Sequence, residues 1–411
     1  MASQRRRQGA PSGPQLRVDA FELSEPEALG ADVRLEVGPR RTVLVGRNGA
    51  GKSATLEGIS KAISDALEGH RSRLRRREID VRRFRCEMSV HPERSDRIAY
   101  EFKQSEARDA PSSSGEPTRQ HFEWTEKCWR MESESTIWEV SNGLATAPGA
   151  PQVRLQPGTG LLSVDADPGL PFANEVERVR AVFLNVGRVQ AGVPRSERNF
   201  RLYFRSSTEQ SWASTGAAGG GRHDRIDTIA LSLLRWHEHD RPRFDEFVEM
   251  GRRMGVWQTV RPLTFKAERP IKEQPGEFGV LDFDEVSSDE RVNVGLLADG
   301  TLRVAEILRA ILRPQASVLL VEEPETSVHP GLLRKLLAEV DSYSINCQVI
   351  LTTHSPQVVA SSQPEEVRLV RRHQGRTVID PLTPQQLTRV GEYLAEDGTL
   401  GDFVFGGAAD D

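Results

Sequence analysis

A chain of 411 residues, 37% hydrophobic and 28% charged, suits a soluble globular protein with one large core and room for two or three domains. The formal net charge of -5 excludes a global attraction to nucleic acid, so any such binding must be local. Cys86, Cys128 and Cys347 form no C-x-x-C pair, which excludes a disulfide framework and a cysteine zinc site and suits a reducing cytoplasm.

Residues 1–14 are polar and Arg-rich and read as a disordered tail rather than a secretory signal. No apolar run approaches the ~20 residues of a membrane span, so the expected location is the cytoplasm, with no membrane partner. Leu16 to Leu23 and Val33 to Val37 alternate apolar and polar residues, as half-buried strands do. Thr42-Val43-Leu44-Val45 is almost wholly apolar, as a central parallel strand should be. The segment Gly46-Arg47-Asn48-Gly49-Ala50-Gly51-Lys52-Ser53 follows and fits G-x-x-x-x-G-K-[ST]. Such a loop turns successive backbone N–H groups onto a polyanion and aims the next helix's positive end at it. Lys52 is then expected at the β- and γ-phosphates of a triphosphate and Ser53 at Mg²⁺. The helix after it carries Leu56, Ile59, Ile63 and Leu67 on one face, with Gly69 as its C-cap.

Arginines crowd residues 71–85, and either a phosphate-tracking patch or a solvated surface would account for them. Strand-like pieces near 84–90, 97–103, 120–125 and 136–140 predict an antiparallel β-layer inserted after the first helix. Residues 145–170 are Pro/Gly-rich and read as a long excursion. A helix is expected over 176–182 and a strand over 182–186, leading to Gln190. A low-complexity loop at 213–222 precedes two helices, Ile226 to Trp236 and Arg243 to Met254, separated by Pro242. They are far too short for a heptad arm.

The last third carries the remaining chemistry. Leu297-Ala298-Asp299-Gly300-Thr301 leads into a helix over Leu302 to Leu312, so Asp299, Gly300 and Thr301 are either an anion site at a helix N-terminus or an ordinary cap. Val318-Leu319-Leu320-Val321 ends in Glu322-Glu323-Pro324-Glu325, which sets two carboxylates at the end of a buried strand. Glu322 can serve the Mg²⁺ shell and Glu323 can orient or deprotonate an attacking water. Val349-Ile350-Leu351 ends in Thr352-Thr353-His354-Ser355-Pro356, placing His354 where it can contact a γ-phosphate.

With these parts assembled, the chain resembles bacterial ATPases of the RecF/SMC-like branch of the ABC superfamily. It is similar to the ATPase halves of overcoming-lysogenisation-defect (OLD) nucleases and of phage-defence systems. The resemblance rests on Val45–Ser53, Leu297–Arg303, Leu319–Pro330 and Leu351–Pro356, and more weakly on Gly398–Phe403, which is otherwise an ordinary Gly-containing turn. It implies an α/β, ABC-type P-loop ATPase head with an inserted antiparallel β-layer and a short helical subdomain. The expected division is a tail at 1–14, lobe one at 15–205, the helical subdomain at 206–275, and lobe two at 276–411 with the signature helix, the acids and His354. It also implies a homodimer clasping ATP, in which Asp299–Thr301 of one copy face the nucleotide of the other. A partner effector such as a nuclease and a setting in phage defence or DNA repair follow from the same resemblance, while DNA as a partner rests on the first of the two readings of Arg71–Arg85. An ATP-gated scaffold that hydrolyses little is the alternative. Two departures stand out: Glu322 occupies a place where many relatives have Asp, and the 55 residues after Pro356 are too few for the nuclease domain of OLD proteins.

Overall fold

The computed structural model describes residues 16–24, 28–68, 82–90, 95–108, 120–141, 143–155, 160–163, 172–191, 202–206, 212–214, 225–266, 268, 276–286, 291–313, 316–345, 347–395 and 398–406. The expected tail at 1–14, Gly69, Arg71–Arg77 and the loop at 111–118 lie outside them. Two compact units emerge, one from residues 1–188, 315–320 and 344–411, the other from 189–314 and 321–343.

The first unit opens with β1 (Leu16–Ser24), β2 (Val33–Glu36), β3 (Arg41–Val45) and α1 (Lys52–Glu68). The β-layer follows as β4 (Arg83–Val90), β5 (Ser95–Arg108), β6 (Gln120–Arg130), β7 (Thr136–Ser141), β8 (Leu144–Thr146) and β9 (Val153–Arg154). These form an antiparallel sheet in the order β2-β1-β4-β5-β6-β7-β8-β9. β5 and β6 pair from Ile98↔Arg130 to Arg108↔Gln120 and so outrun the expected 97–103 and 120–125. Register shifts at Val18/Ala20, where β1 pairs with β4, so both Ala20 and Phe21 turn inward.

Helix α2 (Ala173–Leu184) runs on through the expected strand at 182–186. Its buried Val176, Val179, Val182 and Phe183 keep a spacing of three and four, which is helical, and the strand β10 begins only at Val186 and ends at Val189.

The second unit contains β11 (Tyr203–Ser206), β12 (Ala213–Ser214), α3 (Arg225–His239), α4 (Arg241–Met254), β13 (Trp257–Lys266), β14 (Gly276–Glu285), β15 (Arg291–Asn293) and α5 (Asp299–Ile311). Pro242 lies in the first turn of α4, where its missing N–H costs nothing, and Asp240 caps the helix by accepting from Arg243 N. The stretch 206–275 is therefore not a helical subdomain. β13 zips onto β14 from Trp257↔Glu285 to Lys266↔Glu277 and continues the sheet β12-β11-β14-β13 across the expected boundary at 275. Trp257 anchors this unit, stacked on Phe247 at 5.1 Å, edge-on to Phe283 at 5.3 Å, with Nε1 donating to Val248 O at 3.2 Å.

β16 (Val318–Glu322) carries the chain between the units, and α6 (Pro330–Tyr343) completes the second. The first unit then adds β17 (Gln348–Thr353), α7 (Pro356–Ala360), β18 (Val367–His373), β19 (Arg376–Pro381), α8 (Pro384–Ala395) and α9 (Leu400–Phe405). The second sheet runs β10-β16-β17-β3-β18-β19. β3, β16 and β17 are buried at every position, as strands covered on both faces are. Leu56, Ile59 and Ile63 of α1 share one core with Phe21, Leu23 and Phe84 of the β-layer and with Leu320, Ile350 and Val370 of this sheet. His354 thus belongs with the phosphate loop, not with the signature helix as the expected lobe two had it. Among the described residues no helix is long and apolar enough to cross a membrane.

Candidate functional site

In the first unit, β17 pairs with β3 in parallel, with Thr353 opposite Val45, so Gly46 and His354 leave the sheet at the same end of adjacent strands. The loop between β3 and α1 makes its turn through Gly49 (φ 78) and Gly51 (φ 108), a region that side chains disfavour. Gly51 O accepts from both the N–H and the hydroxyl of Thr55, each at 2.8 Å. Lys52 is 4% exposed. Its Nζ donates to Gly46 O at 2.7 Å and Arg47 O at 3.1 Å, and lies 3.4 Å from His354 Nδ1. An ammonium can only donate, so any hydrogen bond in this contact runs from Lys52 to Nδ1. Arg47, Asn48, Gly49 and Ser53 are exposed around this buried cation, while Ala50 is buried.

Two residues that no motif singled out brace the loop. Thr377 Oγ1 donates to Ala50 O at 3.0 Å, and Arg372 Nη1 reaches Gly49 O at 3.4 Å, both from the β18–β19 hairpin. Only the tertiary pairing of that hairpin brings them there.

In the second unit, Glu322 ends β16 at 5% exposure. The next residue, Glu323, has φ 44, and Ser327 has φ 64. The tight turn between them is closed by Thr326 N donating to Glu323 O at 3.0 Å, and Thr326 Oγ1 donates to the Glu323 carboxylate at 3.2 Å. Asp299, Gly300 and Thr301 form the first turn of α5 itself, with Ala298 as the N-cap, so the helix starts three residues before the expected Leu302. Thr301 Oγ1 donates to Glu285 at 2.7 Å, and Asp299 puts a carboxylate at the helix's positive end. A Cβ on Gly300 would stand 2.5 Å from Ser327 O, so α5 and the acidic turn meet backbone to backbone. Gln190 offers its backbone carbonyl to Arg303 at 2.6 Å while its side chain is exposed.

At the described end of the arginine cluster, two arginines already have carboxylate partners. Arg83 pairs with Glu101 at 2.6 Å and Arg85 with Glu87 at 2.8 Å. Burial pushes the Glu87 carboxyl up, but Arg34, Arg85 and Arg97 outweigh it and hold it below the usual carboxylate range. Arg85 also lies over the Trp129 ring at 5.1 Å.

Buried Lys52, the two loop glycines and the start of α1 make a cradle suited to a polyanion. Ser53 in the first unit and Glu322 in the second each offer oxygen, the donor type that suits Mg²⁺. The family model described as "AAA domain, putative AbiEii toxin, Type IV TA system" matches residues 41–360, from the first residue of β3 to the last of α7. No curated protein matches the chain. Among solved structures, an SmcHead bound to the C-winged helix domain of ScpA is 12% identical, with TM-score 0.45, covering 90% of this chain and 99% of its own. The SMC head domain from Thermotoga maritima is 12% identical, with TM-score 0.39, covering 89% and 99%. An Smc head domain with an extended coiled coil, bound to the C-terminal domain of ScpA derived from Pyrococcus furiosus, is 10% identical, with TM-score 0.42, covering 93% and 100%.

Proposed function

Since the chain belongs to this AAA domain family, we propose that it is a RecF/SMC-like ATPase that hydrolyses ATP to ADP and phosphate, two copies clasping nucleotide between them. The observation that carries this reading is Lys52. A buried ammonium whose donors end on carbonyls of its own glycine loop, beside a histidine from the neighbouring strand, is poised to exchange those partners for phosphate oxygens.

In this reading the N–H groups of Gly46 to Ser53 cradle the triphosphate and Lys52 meets its β- and γ-oxygens. His354 contacts the γ-phosphate. Glu323 orients the attacking water and takes its proton as the new P–O bond forms and the bond to the β-bridging oxygen breaks. Thr326 holds the Glu323 carboxylate for that task. Ser53 and Glu322 would hold Mg²⁺, which when bound offsets phosphate charge. Asp299–Thr301 of one copy face the nucleotide of the other.

The product of the cycle is a change of dimer state that a partner effector reads, in phage defence or DNA repair. The toxin–antitoxin wording of the family description supports such a pairing, and three buried free thiols support the cytoplasm. One observation favours the slower, ATP-gated scaffold: Glu322 carries a methylene more than the customary Asp, which alters its reach to the cation. The test is Glu323→Gln. ATP affinity should hold, turnover should fall by roughly 10²–10⁴-fold, and an ATP-dependent dimer should accumulate by light scattering. Undiminished turnover with no dimer would sink the reading.

A further inference from the structure

Arg303 lies in α5 one position after the motif's Leu302, and it is 2% exposed. Its fork reaches three backbone carbonyls of two other segments. Nη1 donates to Gln190 O at 2.6 Å, and Nη2 donates to Glu322 O and, at 3.2 Å, to Glu323 O. Glu306, one turn along α5, faces Nη1 at 3.3 Å and balances its charge. A guanidinium is planar and holds its N–H groups at fixed angles, so it fixes these carbonyls relative to α5 in a way a single ammonium cannot.

The turn it grips has reason to need a grip. Glu323-Pro324-Glu325-Thr326-Ser327 contains no glycine, yet both ends adopt positive φ. Such backbone persists only where its surroundings hold it. Here α5 supplies two restraints: Arg303 on the carbonyls of Glu322 and Glu323, and Gly300 under Ser327. The carboxylate of Glu323, held by Thr326 of the same turn, follows its backbone.

We propose that Arg303 is a positioning residue that ties the first turn of α5 to Glu323, so that each nucleotide's turnover depends on occupancy of the other. The inference rests on the reading above, in which Asp299–Thr301 face the partner's nucleotide and Glu323 serves its own. A triphosphate drawn against the first turn of α5 displaces that helix. Arg303 carries the displacement to the carbonyls of Glu322 and Glu323, and the carboxylate moves with them. Gln190 O is the third point of the fork and keeps the guanidinium from pivoting.

The test uses the full chain with Arg303→Met and Arg303→Lys. ATP affinity, measured by calorimetry in the Glu323→Gln background, should stay within about twofold, because the phosphate loop is untouched. The wild type should hydrolyse ATP with a Hill coefficient above one. Arg303→Met should lower kcat by about a hundredfold, the scale of loss when a reacting group is misplaced by ~1 Å, and bring the Hill coefficient to one. Arg303→Lys keeps the charge opposite Glu306 and serves should the Met variant not fold. It should recover part of kcat without the cooperativity, since one ammonium cannot span three carbonyls. A wild-type Hill coefficient of one, variants with wild-type kcat and cooperativity, or variants that lose affinity in step with kcat would each overturn the coupling. ATP loading without turnover would overturn it too, because Glu323 would have nothing to time. A wild type that binds no ATP at all would instead bring down the proposed function beneath it.

Discussion

Glu126 offers a measurement in which the structure sets both sign and size. It projects from the inner face of β6 at 1% exposure. Tyr100 OH donates to one carboxyl oxygen at 3.0 Å and Leu161 N to the other at 2.8 Å, which fastens the 3₁₀ turn Leu161–Ser163 to the β-layer. That turn packs on α1, the helix that opens at Lys52. Burial pushes the Glu126 carboxyl from the ordinary 4.5 up to about 7, against the pull of those hydrogen bonds. An acid whose folded pKa is raised binds more protons in the folded state than in the unfolded one. Its contribution is therefore fully present below about pH 4.5, is lost as pH rises toward 7, and is flat beyond. A tenfold change in proton binding is worth about 1.4 kcal/mol, so the whole loss is roughly 3 kcal/mol. Glu126→Gln keeps the shape and removes the titration: its oxygen can accept from Leu161 N while its amide donates to the Tyr100 oxygen, whose hydroxyl rotates to suit. Denaturant unfolding of both proteins between pH 4.5 and 8 should show the variant gaining roughly 3 kcal/mol on the wild type as pH rises. A constant difference across that range would refute the reasoning, because it would mean Glu126 titrates alike in folded and unfolded chains.

Three further outcomes are expected. Thr377→Val removes the hydroxyl on Ala50 O. The loss of a buried hydrogen bond, typically ~1 kcal/mol, should weaken ATP binding about fivefold in calorimetry; unchanged affinity would show that the hairpin does not shape the loop. Gly401→Ala would set a Cβ 2.3 Å from Pro356 O and 2.8 Å from its carbonyl carbon, so unfolding free energy should fall by about 1–3 kcal/mol; a neutral effect would mean that α9 does not seat on α7 this closely. Arg83→Ala and Arg85→Ala should leave the salt dependence of any DNA binding unchanged, since carboxylates already hold both charges, whereas reversing Arg75, Arg76 and Arg77 to Glu should flatten it if that stretch tracks phosphates. A drop of roughly one in slope for Arg83 or Arg85 would assign them phosphate contacts.

What could be read in advance was what depends on neighbours in the chain. The turn of the glycine loop was legible because Gly49 and Gly51, two positions apart, can take the positive φ it needs. The acids and His354 stand out because the apolar runs Val318–Val321 and Val349–Leu351 lead up to them. Asp299-Gly300-Thr301 has the composition of a cap, while the structure uses Gly300 inside the first turn of α5 to let Ser327 O approach. Arg303 could be quoted as part of a motif, but its work is done on Gln190, 113 positions away, and on Glu322 and Glu323 across a turn. Arg83 and Arg85 looked available because their partners Glu101 and Glu87 oppose them only once the strands of the β-layer align. The segment 206–275 read as helical because α3 and α4 dominate its periodicity, while the partner strand that claims β13 begins at Gly276.

The central claim is that the glycine loop and Lys52 bind ATP. Titration of ATP into the wild type and into Lys52→Ala, followed by calorimetry, tests it most directly. Saturable binding by the wild type and none detectable in the variant, with the variant's melting behaviour unchanged, is the expected outcome. Equal affinity in the two proteins, or no binding by a folded wild type, would contradict it.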